Sequence, residues 1–152
     1  MFTKPLKPAM QQAYVKLMMS VIGKGLVVAS HVDPEIQQEI AKFPENFTLS
    51  MKVFPHGPAF IARVNQQKQL ELVDELEGKP DLCIIFKHLE HAFLVFSFQE
   101  STAQAFANDR MIADGDLSYA IRLVRCLNKM ESLILPKLIA SLAVKEYPEQ
   151  LG

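Results

Sequence analysis

Met10, Ala13, Tyr14, Leu17, Met18 and Val21 recur at spacings of three and four, the period of a helix with one apolar side. The prolines Pro5 and Pro8 precede it, and Gly23-Lys24-Gly25 is expected to weaken it. Asp33-Pro34-Glu35 then supplies a cap, a first-turn proline and a first-turn acid, which predicts a short second helix ending near Lys42, before Pro44.

From Phe47 the period changes to two. Phe47, Leu49, Met51 and Val53 alternate with Thr48, Ser50 and Lys52, as in a strand buried on one face. Pro55-His56-Gly57-Pro58 is turn chemistry, and Phe60, Ala62 and Val64 alternate with Ile61 and Arg63 in the expected antiparallel partner. After the polar reversal Asn65-Gln66-Gln67, Leu70 and Leu72 alternate with Gln69 and Glu71, completing a three-stranded meander. Leu82-Cys83-Ile84-Ile85-Phe86 is apolar at every position, which predicts a strand covered by helices on both faces.

The stretch from His88 to Phe98 is rich in Phe and Leu and reads as a helix, and Thr102 to Asn108 as a second, shorter one. Met111-Ile112-Ala113 predicts a short fifth strand. Asp116 is placed to cap a helix bearing Leu117, Ala120, Ile121, Val124 and Leu127, and Pro136 to begin a last helix with Leu138, Ile139 and Leu142 as its apolar stripe. No repeat, low-complexity tract or long linker divides the chain.

The order of these elements, with several local words, resembles the sterol-carrier-protein type 2 family over roughly Phe47 to Leu142. The words are Phe54-Pro55-His56-Gly57-Pro58, Lys79-Pro80-Asp81 before an apolar strand, and Phe106 before a short strand ending Asp114-Gly115-Asp116, with Ala120 four residues beyond Asp116. Gly115 can take a positive φ where the strand turns sharply, and Asp116 can accept from the free amides of the helix it starts. Where the family commonly has a glycine before the fifth strand, this chain has Asn108-Asp109-Arg110, of which Asn and Asp tolerate left-handed geometry.

The resemblance implies an α+β fold, a five-stranded, mainly antiparallel sheet covered by helices, holding an apolar ligand between the layers. Residues 46–152 would form that lipid-binding domain and residues 1–45 an extra N-terminal helical extension packed on or beside it. From apolar periodicity, Phe60, Ile85, Phe93, Phe96, Phe106, Leu123, Leu127 and Leu138 are the candidate cavity residues. Ten phenylalanines and seven methionines supply more apolar surface than one open sheet needs, and methionines let a pocket adapt. Burying about 16 methylenes at ~0.8 kcal/mol each yields a gross ~13 kcal/mol, which ordering costs reduce to micromolar binding.

Composition narrows the alternatives. A formal net charge of −1, with 49% apolar and 22% charged residues, describes an ordinary globular chain and offers no field to recruit nucleic acid. Residues 1–32 carry Lys4, Lys7, Lys16 and Lys24 and no acid, an asymmetry suited to an anionic membrane or partner surface. Those lysines interrupt any long apolar run, so neither a signal peptide nor a bilayer span is expected. Cys83 and Cys126 each lie in an apolar run, as buried small hydrophobes in a reducing cytoplasm do.

Catalytic chemistry has no constellation here: no phosphate loop, no nucleophile elbow and no pair of carboxylates in an apolar setting. His56, Asp81, His88 and Asp116 all fall in turns, caps or helix starts, and Arg63, Arg122 and Arg125 are the candidate partners for a ligand carboxylate. His88-Leu89-Glu90-His91 matches neither common zinc-protease word, so no metal or cofactor is expected. The function expected is non-catalytic binding or transfer of a fatty acid, fatty acyl thioester or isoprenoid quinone precursor in the cytoplasm. The alternative is an accessory or scaffold protein of a membrane-associated biosynthetic assembly, for example in quinone biosynthesis, docking through its first helix and carrying no transported ligand.

Overall fold

The computed structural model describes residues 7–146, with side chains described through residue 134. Helices α1 (Pro8–Val32) and α2 (Pro34–Ile40) lead into strands β1 (Thr48–Val53), β2 (Ala59–Val64), β3 (Leu70–Leu72) and β4 (Leu82–Phe86). Helices α3 (Leu89–Phe96) and α4 (Thr102–Ala107), strand β5 (Met111–Asp114) and helix α5 (Leu117–Glu146) follow. The five strands form one sheet in the order β3-β2-β1-β4-β5, parallel between β1 and β4 and antiparallel elsewhere. The fold is therefore the expected α+β arrangement with an N-terminal helical segment.

The strand registers place Leu49 beside Ala62 and Leu82, and Met51 beside Phe60 and Ile84, so the period-two apolar set meets the helices on one face. Each such side chain fully withdrawn from water contributes about 1.5–3 kcal/mol before entropy is counted. The opposite face carries Ser50, Lys52, Ile61, Cys83, Ile85 and Asp114 in two cross-strand rows. This corrects the reading of Leu82–Phe86 as covered by helices on both sides: Cys83 and Ile85 face away from the helices, and a loop around Gly78 rather than a helix approaches them.

Helix α1 runs unbroken through Gly23 and Gly25, against the expectation that it weakens there. Both glycines permit close approach instead of ending the helix. A Cβ on Gly23 would stand 3.0 Å from Cγ of Phe60, and one on Gly25 3.3 Å from Ile134 Cδ1 and Met130 Sδ. Val15, Met18, Met19, Ile22 and Leu26 are buried in the same core as the sheet, while Leu17 and Val21 of the expected stripe face solvent. By length and composition α1 does suffice to cross a bilayer, and its two lysines do not prevent this. Here it lies on the sheet, and its Tyr14 hydroxyl donates to the carbonyl of Phe96 at 2.7 Å.

Most local chemistry matches its sequence signal. Asp33 caps α2 by accepting the N–H of Ile36 at 3.1 Å, and Ser101 and Gln104 form a capping box on α4. Asp109 takes a φ of 61° before β5, a left-handed conformation that Asp tolerates. Gly115 has φ 148°, and a Cβ there would stand 2.7 Å from the carbonyl oxygen of Asp81. Asp116 accepts the N–H of Ser118 at 2.8 Å and its hydroxyl at 2.6 Å, bonds that hold its carboxyl below the usual range.

Two boundaries differ. Phe98 lies beyond the end of α3 with φ 63° rather than on the helix. Pro136 does not begin a helix: α5 passes through it as one helix of 30 residues. A proline inside a helix forfeits a single backbone hydrogen bond, and the helical spacing of apolar residues continues on either side of it.

Candidate functional site

Strand β3 is only three residues long, and this shortness creates the site. Its last pairing sets Leu72 beside Ala62, and Val73 adds one bond by donating its N–H to the carbonyl of Ile61 at 2.9 Å. The first residues of β2, Ala59 and Phe60, therefore extend past their neighbour, and the first half of α1 overhangs the notch. The result is a recess of about 480 Å³. Its walls are Lys16, Met19, Ser20 and Gly23 from α1, Pro58 to Ile61 from the start of β2, and Leu72, Val73 and Asp74 from the end of β3.

Eleven residues thus combine a mostly apolar lining with a cation and a carboxylate. Gly23 matters because any larger residue would fill the space beside the Phe60 ring. Leu72, on the core side of a strand that ends early, is left 44% exposed at the mouth. A volume of this size falls in the range of about 300–1,000 Å³ typical of small-molecule sites.

Of the residues expected to line a cavity, Phe60 lines this recess. Phe93, Phe96, Leu123 and Leu127 are buried in the core, with Phe106 partly buried against it. Phe93 stacks edge-on with Tyr14 and Phe96 with Phe86, each at 5.5 Å between ring centres. Ile85 lies on the opposite face of the sheet and lines a separate recess there. The side chain of Leu138 lies outside the described residues. The sequence reading missed Lys16, Ser20 and Gly23, whose signal was a glycine at an inward position of a helix that has no other reason to contain it.

The polar candidates are used structurally. Asp81 Oδ2 accepts the backbone N–H of Thr48 at 2.9 Å, and its own N–H donates to the Thr48 hydroxyl at 3.0 Å, joining the β4 approach to β1. Arg63 pairs with Glu71 at 3.4 Å, and Arg122 and Arg125 share Glu39 at 3.3 and 3.9 Å. His88 precedes α3 and faces His91 with ring centres 5.1 Å apart, and the Nδ1 of His91 is buried with no hydrogen-bond partner. Among the described residues, no group of three or more His, Cys, Asp or Glu side chains is placed to hold a metal ion.

Glu131 on α5 is the one buried acid of the described core, accepting from the Thr102 hydroxyl at the start of α4. Burial pushes its carboxyl up to about 8. It forms one wall of a 310 Å³ polar recess with Gln99, Ser101, Gln104 and Asn128. Burial likewise pushes the Cys126 thiol up to about 12 and raises that of Cys83.

No protein-family model and no curated protein matches the sequence. Solved structures do match in shape. A UbiJ-SCP2 ubiquinone synthesis protein is 14% identical with a TM-score of 0.50, over 84% of this chain and 100% of its own. Sterol carrier protein 2 like 2 from Aedes aegypti is 14% identical with a TM-score of 0.44, over 73% of this chain and 97% of its own. Sterol carrier protein 2 from Yarrowia lipolytica in its apo form is 15% identical with a TM-score of 0.44, over 73% and 87%. Because the match spans the full length of the first of these structures, the chain, with its five-stranded sheet, has the sterol-carrier-protein type 2 fold.

Proposed function

We propose that this protein binds an apolar, lipid-like molecule without covalent chemistry, and that the notch beside Phe60 is where the ligand lies. The observation that carries this reading is the 480 Å³ recess itself, apolar along the sheet edge and bordered by Lys16. A fatty acid, a fatty acyl thioester or an isoprenoid quinone precursor meets its chemistry: a chain against Met19, Phe60 and Leu72, and a polar head near Lys16. The quinone precursor belongs in this set because the structure sharing the fold over its whole length is named for ubiquinone synthesis. The placement of His56, Asp81, His88 and Asp116 in turns and caps supports a non-catalytic role.

Ser20→Trp tests the reading, because Ser20 is a solvent-facing wall of the recess and its replacement leaves the core untouched. Titration with a fluorescent fatty acid should show at least a tenfold loss of affinity with unchanged circular dichroism. Full-strength binding by this variant would remove the ligand from the notch.

A second observation favours a surface role beside ligand binding. Met10, Leu17, Val21, Val28 and Val32 form an exposed apolar line along α1, next to Lys24, and α1 contains no acid. We infer that this face meets an anionic membrane surface, the arrangement a lipid carrier or an accessory of a membrane-associated assembly would need.

A further inference from the structure

The sheet face turned away from the helices holds a recess of about 190 Å³ that shares only Ile61 with the notch of the proposed lipid site. Its floor is the cross-strand block Ile61, Ser50, Cys83 and Asp114, with Lys52 and Ile85 in the next row. Its lid is the loop carrying Leu76, Gly78, Lys79 and Pro80.

The charges in this recess are unbalanced. Lys79 Nζ pairs with Asp114 Oδ2 at 2.7 Å, which satisfies that carboxylate. Lys52 is half-buried among Ile61, Ile85 and Cys83 and has no carboxylate within ion-pair distance among the described residues. Lysine on a sheet face usually carries its ammonium out to water along an apolar stem. Here Lys52 lines the recess together with the loop residues Leu76, Gly78 and Pro80, beside aliphatic side chains and Ser50. Such a space is complementary to one negative charge with a small apolar body attached, since a charged partner forms a stronger hydrogen bond to Lys52 than water does.

We propose that this outer-face recess is a second ligand site, for a short-chain monocarboxylate whose head pairs with Lys52 and whose aliphatic tail lies against Ile61, Leu76 and Ile85. The volume excludes a long acyl chain, so the site is distinct in ligand from the notch beside α1. It does not rest on the lipid reading.

The experiment is a titration of the full chain with butyrate, 1-butanol and inorganic phosphate, followed by amide chemical shifts. Butyrate should give saturable shifts at Ser50, Lys52, Gly78, Lys79 and Cys83, while butanol and phosphate at equal concentration give none that saturate. Lys52→Met keeps the aliphatic stem and should weaken butyrate at least tenfold; Lys52→Arg should retain it within about threefold. Ser20→Trp should leave butyrate binding unchanged, which separates failure here from failure of the lipid site. Equal binding of butyrate by Lys52→Met, saturable binding of butanol, or phosphate shifting the same amides to saturation would each overturn the proposal.

Discussion

Ser30 on α1 accepts the backbone N–H of Leu70, the first residue of β3, at 3.0 Å, in a fully buried position forty residues away in sequence. Its own hydroxyl proton goes to the carbonyl of Val27 at 2.6 Å. One side chain therefore ties the N-terminal helix to the edge strand whose early end forms the notch. Ser30→Ala leaves a buried N–H without a partner, a loss of about 1–3 kcal/mol. Thermal unfolding should show a midpoint lower by about 2–4 °C for each kcal/mol lost; an unchanged midpoint would mean that water replaces the hydroxyl.

The two helix glycines should respond in opposite directions. Alanine is better than glycine in a helix by about 1 kcal/mol. At Gly23 the new methyl meets Cγ and Cβ of Phe60, atoms fixed by the β2 backbone, so overpacking of about 1–3 kcal/mol exceeds the gain. At Gly25 it meets the far ends of Ile134 and Met130, which can shift. Chemical denaturation should rank Gly25→Ala at or above the parent and Gly23→Ala below it. The reverse order would contradict the close packing of α1 on β2.

Stability should fall as pH rises from about 4.5 to about 8, through Glu131. Its folded carboxyl is held at about 8 by burial, against 4.5 for the free group, so the folded state keeps a proton across that window that the unfolded state releases. The contribution is fully present below the unfolded value and is lost as pH approaches the folded one, with a limiting slope of about 1.4 kcal/mol per pH unit. Glu131→Gln keeps an acceptor for Thr102 and carries no titrating proton. Its stability curve between pH 5 and pH 8 should be flatter than the parent's, and parallel curves would show that Glu131 ionises freely in the fold.

Membrane contact through α1 is tested by reversing its surface chemistry. Leu17 and Val28 are 62% and 60% exposed, so Leu17→Glu and Val28→Glu leave the core intact. Flotation with vesicles containing phosphatidylglycerol should retain the parent, and the double variant should lose at least tenfold of the bound fraction. Equal retention would assign the exposed line no role at a lipid surface.

The sequence determined a great deal by itself. Period two at Phe47–Val53 and Phe60–Val64, caps at Asp33 and Asp116, and the turn at Gly115 are local matters of side-chain spacing and backbone sterics, and each stands in the structure as read. What tertiary structure decided are the properties of surfaces shared by elements far apart in the chain. Whether Gly23 ends a helix or admits a ring depends on Phe60, and whether Ile85 looks inward depends on which face the helices take. Phe93, Leu123 and Leu127 look alike in periodicity to a residue that lines a cavity, and packing rather than spacing assigns them to the core. The notch is the clearest case: it arises because β3 stops at Leu72 while α1 continues above it, a mismatch of lengths that no local pattern records.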